Sequence, residues 1–134
     1  MMILSFDFGT KKIGVAIGQK ITCTANILNT INVKNGIPNW NQISHLIIYW
    51  NPKIIIVGYP LNMDGSKQKI TKKTILFAKI LKQKYLINVE LHDERLTTIE
   101  SKSILYKNKK YKNIKKNIHS LSAVLILESW LNKK

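Results

Sequence analysis

The stretch "LSFDFGTKKIGVAIG", residues Leu4 to Gly18, decides the fold. Its first half alternates as a strand, with Leu4, Phe6 and Phe8 on one side and Ser5 and Asp7 on the other, and Ile13 begins a second apolar run. The link "GTKK" is short enough for a hairpin, so the two strands should pair antiparallel. Asp7 then stands on the sheet face shared with Ile3 and Ser5. A carboxylate on a covered face is costly to desolvate unless it is paired or binds a metal. The plainer alternative is that Asp7 ends the strand and caps the hairpin, with Gly9 and Thr10 suited to the turn.

Outward from this hairpin, the patterning predicts strands over Met2 to Phe8, Ile13 to Gln19 and Ala25 to Ile31. In "PNWNQISHLIIYW", Trp40, Ile43, Ile47 and Trp50 fall at helical spacing; Pro38 suits the start of this helix and Pro52 stops it. "KIIIVGY", from Lys53, is apolar on both faces, as a central strand covered by helices would be. After the loop "PLNMDGS", a long helix carries Ile70, Thr74, Phe77, Leu81 and Tyr85 as one stripe. "NVELH" is a fifth strand ending in "DERLTT", and the remainder reads as helical around a lysine-rich interruption between Lys107 and Lys116. At 134 residues, without an internal repeat or flexible linker, one domain spanning residues 1–134 is expected. The expected class is α/β, a mixed five-stranded sheet flanked by helices, with three antiparallel strands and then parallel ones. This order resembles the ribonuclease H-like fold.

Charge is lopsided: 22 basic against seven acidic side chains, a net +15. Such a balance fits a polyanionic partner. The single arginine, Arg95, among many lysines, asparagines and isoleucines also fits a coding bias toward A/T-rich codons, so charge alone does not decide. Cys23 is the only cysteine, which excludes an intrachain disulfide. The amino terminus has no signal-peptide pattern, and "KIIIVGYPL" and "LSAVLILESWL" are too short to span a bilayer. A soluble cytoplasmic protein with no membrane partner is expected.

The second acidic feature is "HDERLTT", His92 to Thr98, at the carboxyl end of the last strand, with Glu100 close behind. In open α/β sheets that end is where ligand crevices form. Taken singly, Asp93 or Thr97 suits a helix cap and Arg95 a neutralising partner. Two acids brought together from distant strands are harder to dismiss, because like charges at close range repel unless a cation lies between them.

"LSFDFGTKKIGVAIG", "IIIVGYPLNMDGS", "HDERLTTIES" and "SLSAVLILESWL", in that order over nearly the whole chain, resemble the signature blocks of the YqgF family, also called RuvX or Holliday-junction-resolvase-like proteins. The resemblance implies a ribonuclease H-like fold related to the RuvC resolvases and a metal-dependent endonuclease that matures the 5′ end of pre-16S ribosomal RNA. Resolution of Holliday junctions in branched DNA is the older attribution. It also implies that Asp7 is the first metal-binding carboxylate and that the "DER" block supplies the second, Glu94 by preference and Asp93 in reserve. The family's third acid usually opens the last helix; here "KNIHSLSAV" places His119 there. That departure fits either a retained site with a nitrogen ligand or a decayed one.

Phosphodiester hydrolysis must activate water and stabilise charge on the leaving oxygen, which divalent ions do. Asp7 and Glu94 suit Mg²⁺ or Mn²⁺; a neutral His119 shifts the preference toward Mn²⁺ and should make cleavage weaken in mild acid, where a free imidazole takes a proton. Lys11 and Lys12, on the turn beside Asp7, are placed for phosphate; Asn62 and Asp64, after a central strand, are candidates to line the same crevice, although loop-forming propensity alone explains Asn, Asp and Gly there, and Arg95 is a further candidate contact to nucleic acid. "LYKNKKYKNIKK" interleaves Tyr106 and Tyr111 with Lys109, Lys110 and Lys112, a mixture that follows a phosphate backbone and stacks on bases, although a solvated loop has the same composition. Precursor rRNA is the expected partner, with branched DNA as the alternative, and the chain is expected to be a monomer or weak homodimer. His92 borders the acids and is a candidate to orient one, while His45 reads as exposed and Trp40, Trp50 and Trp130 as core. Two rival readings stand beside the nuclease. The D-x-G-T hairpin also opens ATP-dependent phosphotransferases of the actin and sugar-kinase class, which need two lobes, and a non-catalytic RNA-binding module would follow if His119 marks decay.

Overall fold

The computed structural model describes residues 1–60, 64–65, 68–94 and 118–133. Along the chain run β1 (Met2–Asp7), β2 (Lys12–Gln19), β3 (Thr24–Lys34), β4 (Ile37–Pro38), α1 (Trp40–Trp50), β5 (Ile54–Tyr59), α2 (Lys69–Tyr85), β6 (Asn88–Asp93) and α3 (Ile118–Asn132). The strands form one sheet in the order β4-β3-β2-β1-β5-β6. β1 to β4 pair antiparallel in succession, and β5 and β6 join β1 through parallel pairings. This is the expected mixed α/β architecture. The sheet has a sixth strand where five were expected, because the two residues of β4 fold back on β3 through Asn35 and Gly36, both at positive φ.

The alternation read in the first strand decides what each face holds. Leu4 and Phe6 of β1 enter a core with Ile43 of α1 and Phe77, Ala78 and Leu81 of α2. Ile3 enters a second core on the opposite face, with Ala123, Val124, Ile126 and Leu127 of α3. Ser5 lies on that second face, fully buried, and its hydroxyl donates to the carbonyl of Ala123 at 2.8 Å. The central strand is thereby tied to α3 by a satisfied polar group within an apolar layer.

Helix boundaries follow local chemistry. Asn39 caps α1 by accepting the N–H of Gln42 at 3.2 Å. Pro38, expected at the helix start, instead belongs to β4 one residue ahead of the cap. Asn51, at φ 46°, closes the helix, and Pro52 prevents its continuation. α2 starts where the Gln68 N–H meets the Thr71 hydroxyl at 2.9 Å, and it stops at Leu86 in the left-handed region. Trp130 is buried and Trp40 and Trp50 pack against the first core, as expected. No helix among the described residues is long and apolar enough to cross a membrane.

Candidate active site

Asp7 ends β1 half-buried, directly opposite Gly14 of β2. On its other side β1 runs parallel to β5 with Phe6 beside Val57. One residue further, the same register sets Asp7 beside Gly58. The carboxylate therefore has a glycine on each flank, in one row across the sheet. Both glycines are occupied from above. A methyl group at Gly14 would lie 1.8 Å from the carbonyl oxygen of His119, so the first turn of α3 rests on the backbone of β2. A methyl at Gly58 would lie 2.3 Å from Cδ1 of Ile126 and 3.2 Å from Cγ and Cδ of Glu94. Neither position accepts a side chain without displacing what covers it.

The pairing of β5 with β6 explains why Glu94 occupies this place. Glu90, His92 and Glu94 alternate with Val89, Leu91 and Asp93. The first two point to the α3 side, since the Trp130 Nε1–H donates to Glu90 at 3.3 Å and His92 Nε2 pairs with the Ser129 hydroxyl at 2.9 Å. Val89 packs with the α1/α2 core. Asp93, paired with Tyr59 at the last position of β6, follows Val89 and Leu91 to that opposite side. Glu94, one residue beyond the strand, returns to the α3 side and lays its carboxylate stem over Gly58. Asp7 and Glu94 thus share one face and one end of the sheet, separated by a residue with no side chain.

Ser120 fixes the third wall. The β2–β3 ladder shifts register between Ile13 and Val15, a bulge centred on Gly14. The buried Ser120 hydroxyl accepts the Val15 N–H at 3.0 Å and donates to the Leu28 carbonyl at 2.7 Å, filling the gap in the ladder. This plug holds the amino-terminal turn of α3, the positive end of its dipole, against the row that contains Asp7. His119 belongs to the same turn and is exposed. Among the described residues no three His, Cys, Asp or Glu side chains form a metal-ligating group, so His119 is not gathered with the two carboxylates into a ready three-ligand cluster.

His92 does not orient an acid through its Nε2, which is taken by Ser129. Burial holds its imidazole below the usual histidine pKa, Lys133 adds to that effect, and Asp93 and Glu90 oppose it. Lys11 and Lys12 are exposed on the β1–β2 turn, and His45 is exposed on α1. Asn62, Arg95, Lys109, Lys110 and Lys112 lie outside the described residues, as do Glu100 and the tyrosines of the lysine-rich stretch. The two flanking glycines and Ser120 are the parts of the site that the residue-by-residue reading passed over. A glycine inside an otherwise β-branched run, as in "IIIVGY", is the available signal for close approach of another chain segment.

The RuvX family profile, described as Holliday junction resolvase, matches residues 1–133. The chain belongs to the RuvX family. A RuvX relative from Buchnera aphidicola subsp. Acyrthosiphon pisum is 53% identical over 134 residues, covering 99% of both chains, and carries the name of a candidate pre-16S rRNA nuclease. One from Wigglesworthia glossinidia brevipalpis, of the same name, is 55% identical over 132 residues, with 98% of this chain and 92% of the relative covered. Among solved structures, Thermus thermophilus RuvC superposes with a TM-score of 0.62 at 10% identity, covering 96% of this chain and 92% of that one. The fowlpox virus Holliday junction resolvase gives 0.57 at 18% identity, covering 95% and 94%. The RuvX chain thus shares its fold with the RuvC-like resolvases, in keeping with the ribonuclease H-like expectation.

Proposed function

We propose that this chain is a metal-dependent endonuclease that cleaves phosphodiester bonds in precursor ribosomal RNA, at the 5′ end of pre-16S rRNA. The observation that carries the proposal is the placement of Asp7 and Glu94 on one face at the carboxyl end of the sheet, with Gly58 between them. The names of relatives at 53% and 55% identity support the RNA substrate. The donor set fits a hard divalent cation: two carboxylates, one ending β1 and one just past β6, converging where a single added methyl would crowd one of them. Asp7 and Glu94 would hold Mg²⁺ or Mn²⁺, which keeps several waters and so does not require a closed cage of protein ligands. When bound, the ion supplies an activated water and a counter-charge for the leaving oxygen.

The chain's own residues do the rest. Gly14 and Gly58, lacking side chains, let the first turn of α3 and the stem of Glu94 close in on either side of Asp7. Lys11 and Lys12, exposed at the same rim, neutralise the backbone on either side of the cut. The first turn of α3, pinned by Ser120, presents its positive end beside the row. His119 on that turn is proposed as a further donor, and Asn62, Arg95, Lys109, Lys110 and Lys112 as contacts to the strand. Action on branched DNA is the second reading, favoured by the family description and the shared fold of the RuvC-like resolvases. The protein is proposed to act in the cytoplasm as a monomer or weak homodimer.

Incubation of the protein with pre-16S rRNA and with a four-way DNA junction, in parallel with Mg²⁺ and Mn²⁺, tests this directly. Cleavage of the RNA by the wild type and none by Asp7→Asn is the expected result. Cleavage confined to the junction would transfer the assignment to DNA, and equal cleavage by Asp7→Asn would move the active site elsewhere.

A further inference from the structure

On the sheet face opposite Asp7 lies a cavity of about 440 Å³. Phe8, Trp40 and Phe77 line it, Lys73 stands on its wall, and Ile37 and Leu76 form an apolar rim, 64% and 59% exposed. The rings of Phe8 and Trp40 pack 5.0 and 5.7 Å from that of Phe77, and both residues remain only half-buried. The volume is within the range of small-molecule sites.

Charge identifies the occupant. Lys73 of α2 lines the cavity, and further exposed lysines lie on the segments beside it: Lys11 and Lys12 at the start of β2, Lys34 before the β3–β4 turn, and Lys69 and Lys72 on α2. No acidic residue occurs between Phe8 and Met63 or between Gly65 and Val89, so these walls are wholly without carboxylates. An aromatic slot with a lysine on its wall, further lysines on adjoining segments and no carboxylate nearby matches a polynucleotide strand, its base stacked on the rings and its phosphates met by lysine. A cationic or neutral peptide would gain nothing from that positive charge. Position links the slot to the cut. Phe8 directly follows Asp7, and the two consecutive residues serve opposite faces of the same strand end.

We propose that this cavity receives one unpaired nucleobase of the substrate strand, a short and fixed distance from the phosphate held at Asp7 and Glu94. The proposal rests on the nuclease reading for its placement, and it makes the enzyme selective for strands that can turn a base out beside the cleavage point. It gives the site a second anchor, on the far side of the β1–β2 turn, that a continuous duplex would not engage.

The test measures binding of a short single-stranded RNA by fluorescence anisotropy with Ca²⁺ in place of Mg²⁺ or Mn²⁺, using wild type, Leu76→Glu and Leu86→Glu. Leu76 is on the rim; Leu86, 87% exposed beyond the carboxyl end of α2, receives the same charge away from it. The proposal predicts a loss of about tenfold for Leu76→Glu and little change for Leu86→Glu. An abasic site walked along the RNA should cost the wild type about as much at one position only, with no further loss in Leu76→Glu. Equal losses in the two variants, or abasic sites without a preferred position, would overturn it. Unchanged binding by Leu76→Glu would also overturn it and leave the cavity to a protein partner. Cleavage by Asp7→Asn, scored separately, reports on the nuclease reading alone, so the two can fail independently.

Discussion

At the scale of single residues, the site depends on what Gly58 lacks. Replacing it with alanine drives a methyl into Cδ1 of Ile126 and the stem of Glu94. Overpacking of this kind costs about 1–3 kcal/mol, and the displaced carboxylate should weaken Mn²⁺ binding by roughly 10- to 100-fold, the usual effect of disturbing a ligand's support. Thermal melts and Mn²⁺ titration followed by electron paramagnetic resonance separate the two effects. Unaltered Mn²⁺ affinity would show that Glu94 is not a ligand. His119→Asp should move the metal preference of cleavage from Mn²⁺ toward Mg²⁺, and an unchanged ratio of rates in the two metals would remove His119 from the donor set. The placement of Asp7 at the end of a buried strand, on the face of Ser5, was legible at this scale because side chains alternate along the strand. The choice between Asp93 and Glu94 was not legible, since it turns on which face each residue takes where β6 ends, and the sequence places them next to each other.

At the scale of elements, side-chain hydrogen bonds among the described residues fasten α3 to the sheet: Ser5 to Ala123, Ser120 into the bulge, His92 to Ser129 and Trp130 to Glu90. Ser120→Ala leaves the Val15 N–H and Leu28 carbonyl without their plug, at a cost of about 1–3 kcal/mol, which urea melts will read. His92 makes this fastening sensitive to pH. Because burial favours its neutral form in the fold, the unfolded chain takes up the proton first as pH falls below about 6.5. The contribution of His92 is therefore complete above that value, declines below it and levels off under the lowered pKa of the folded state. The difference in stability between wild type and His92→Gln, measured from pH 7.5 to 5 in the presence of a chelator, should shrink toward the acid end. A difference constant with pH would contradict the assignment. Among the described residues, strands and helices were readable from periodicity to within a few residues, and the Asp7 alternation held across the whole first strand. The bulge at Gly14 and the strand Ile37–Pro38 were not readable, because both are made by partners distant in sequence or by a two-residue pairing too short to leave a pattern.

At the scale of the whole molecule, a net charge of +15 on 134 residues means that nucleic-acid binding should be steeply dependent on salt. Affinity for RNA is expected to fall by at least about tenfold between 50 and 200 mM KCl, and a flat response would detach the charge from substrate binding. The acids are placed against this background in a way that composition could not reveal: Asp7 and Glu94 converge at one end of the sheet, while the segments walling the aromatic cavity have none. The central claim is that Asp7 and Glu94 jointly hold the divalent ion and that Asp93 does not. Calorimetric titration of Mn²⁺ into wild type, Asp7→Asn, Glu94→Gln and Asp93→Asn tests it most directly. Binding should be abolished in the first two variants and retained in the third; Mn²⁺ bound equally well by Asp7→Asn and Glu94→Gln would contradict it.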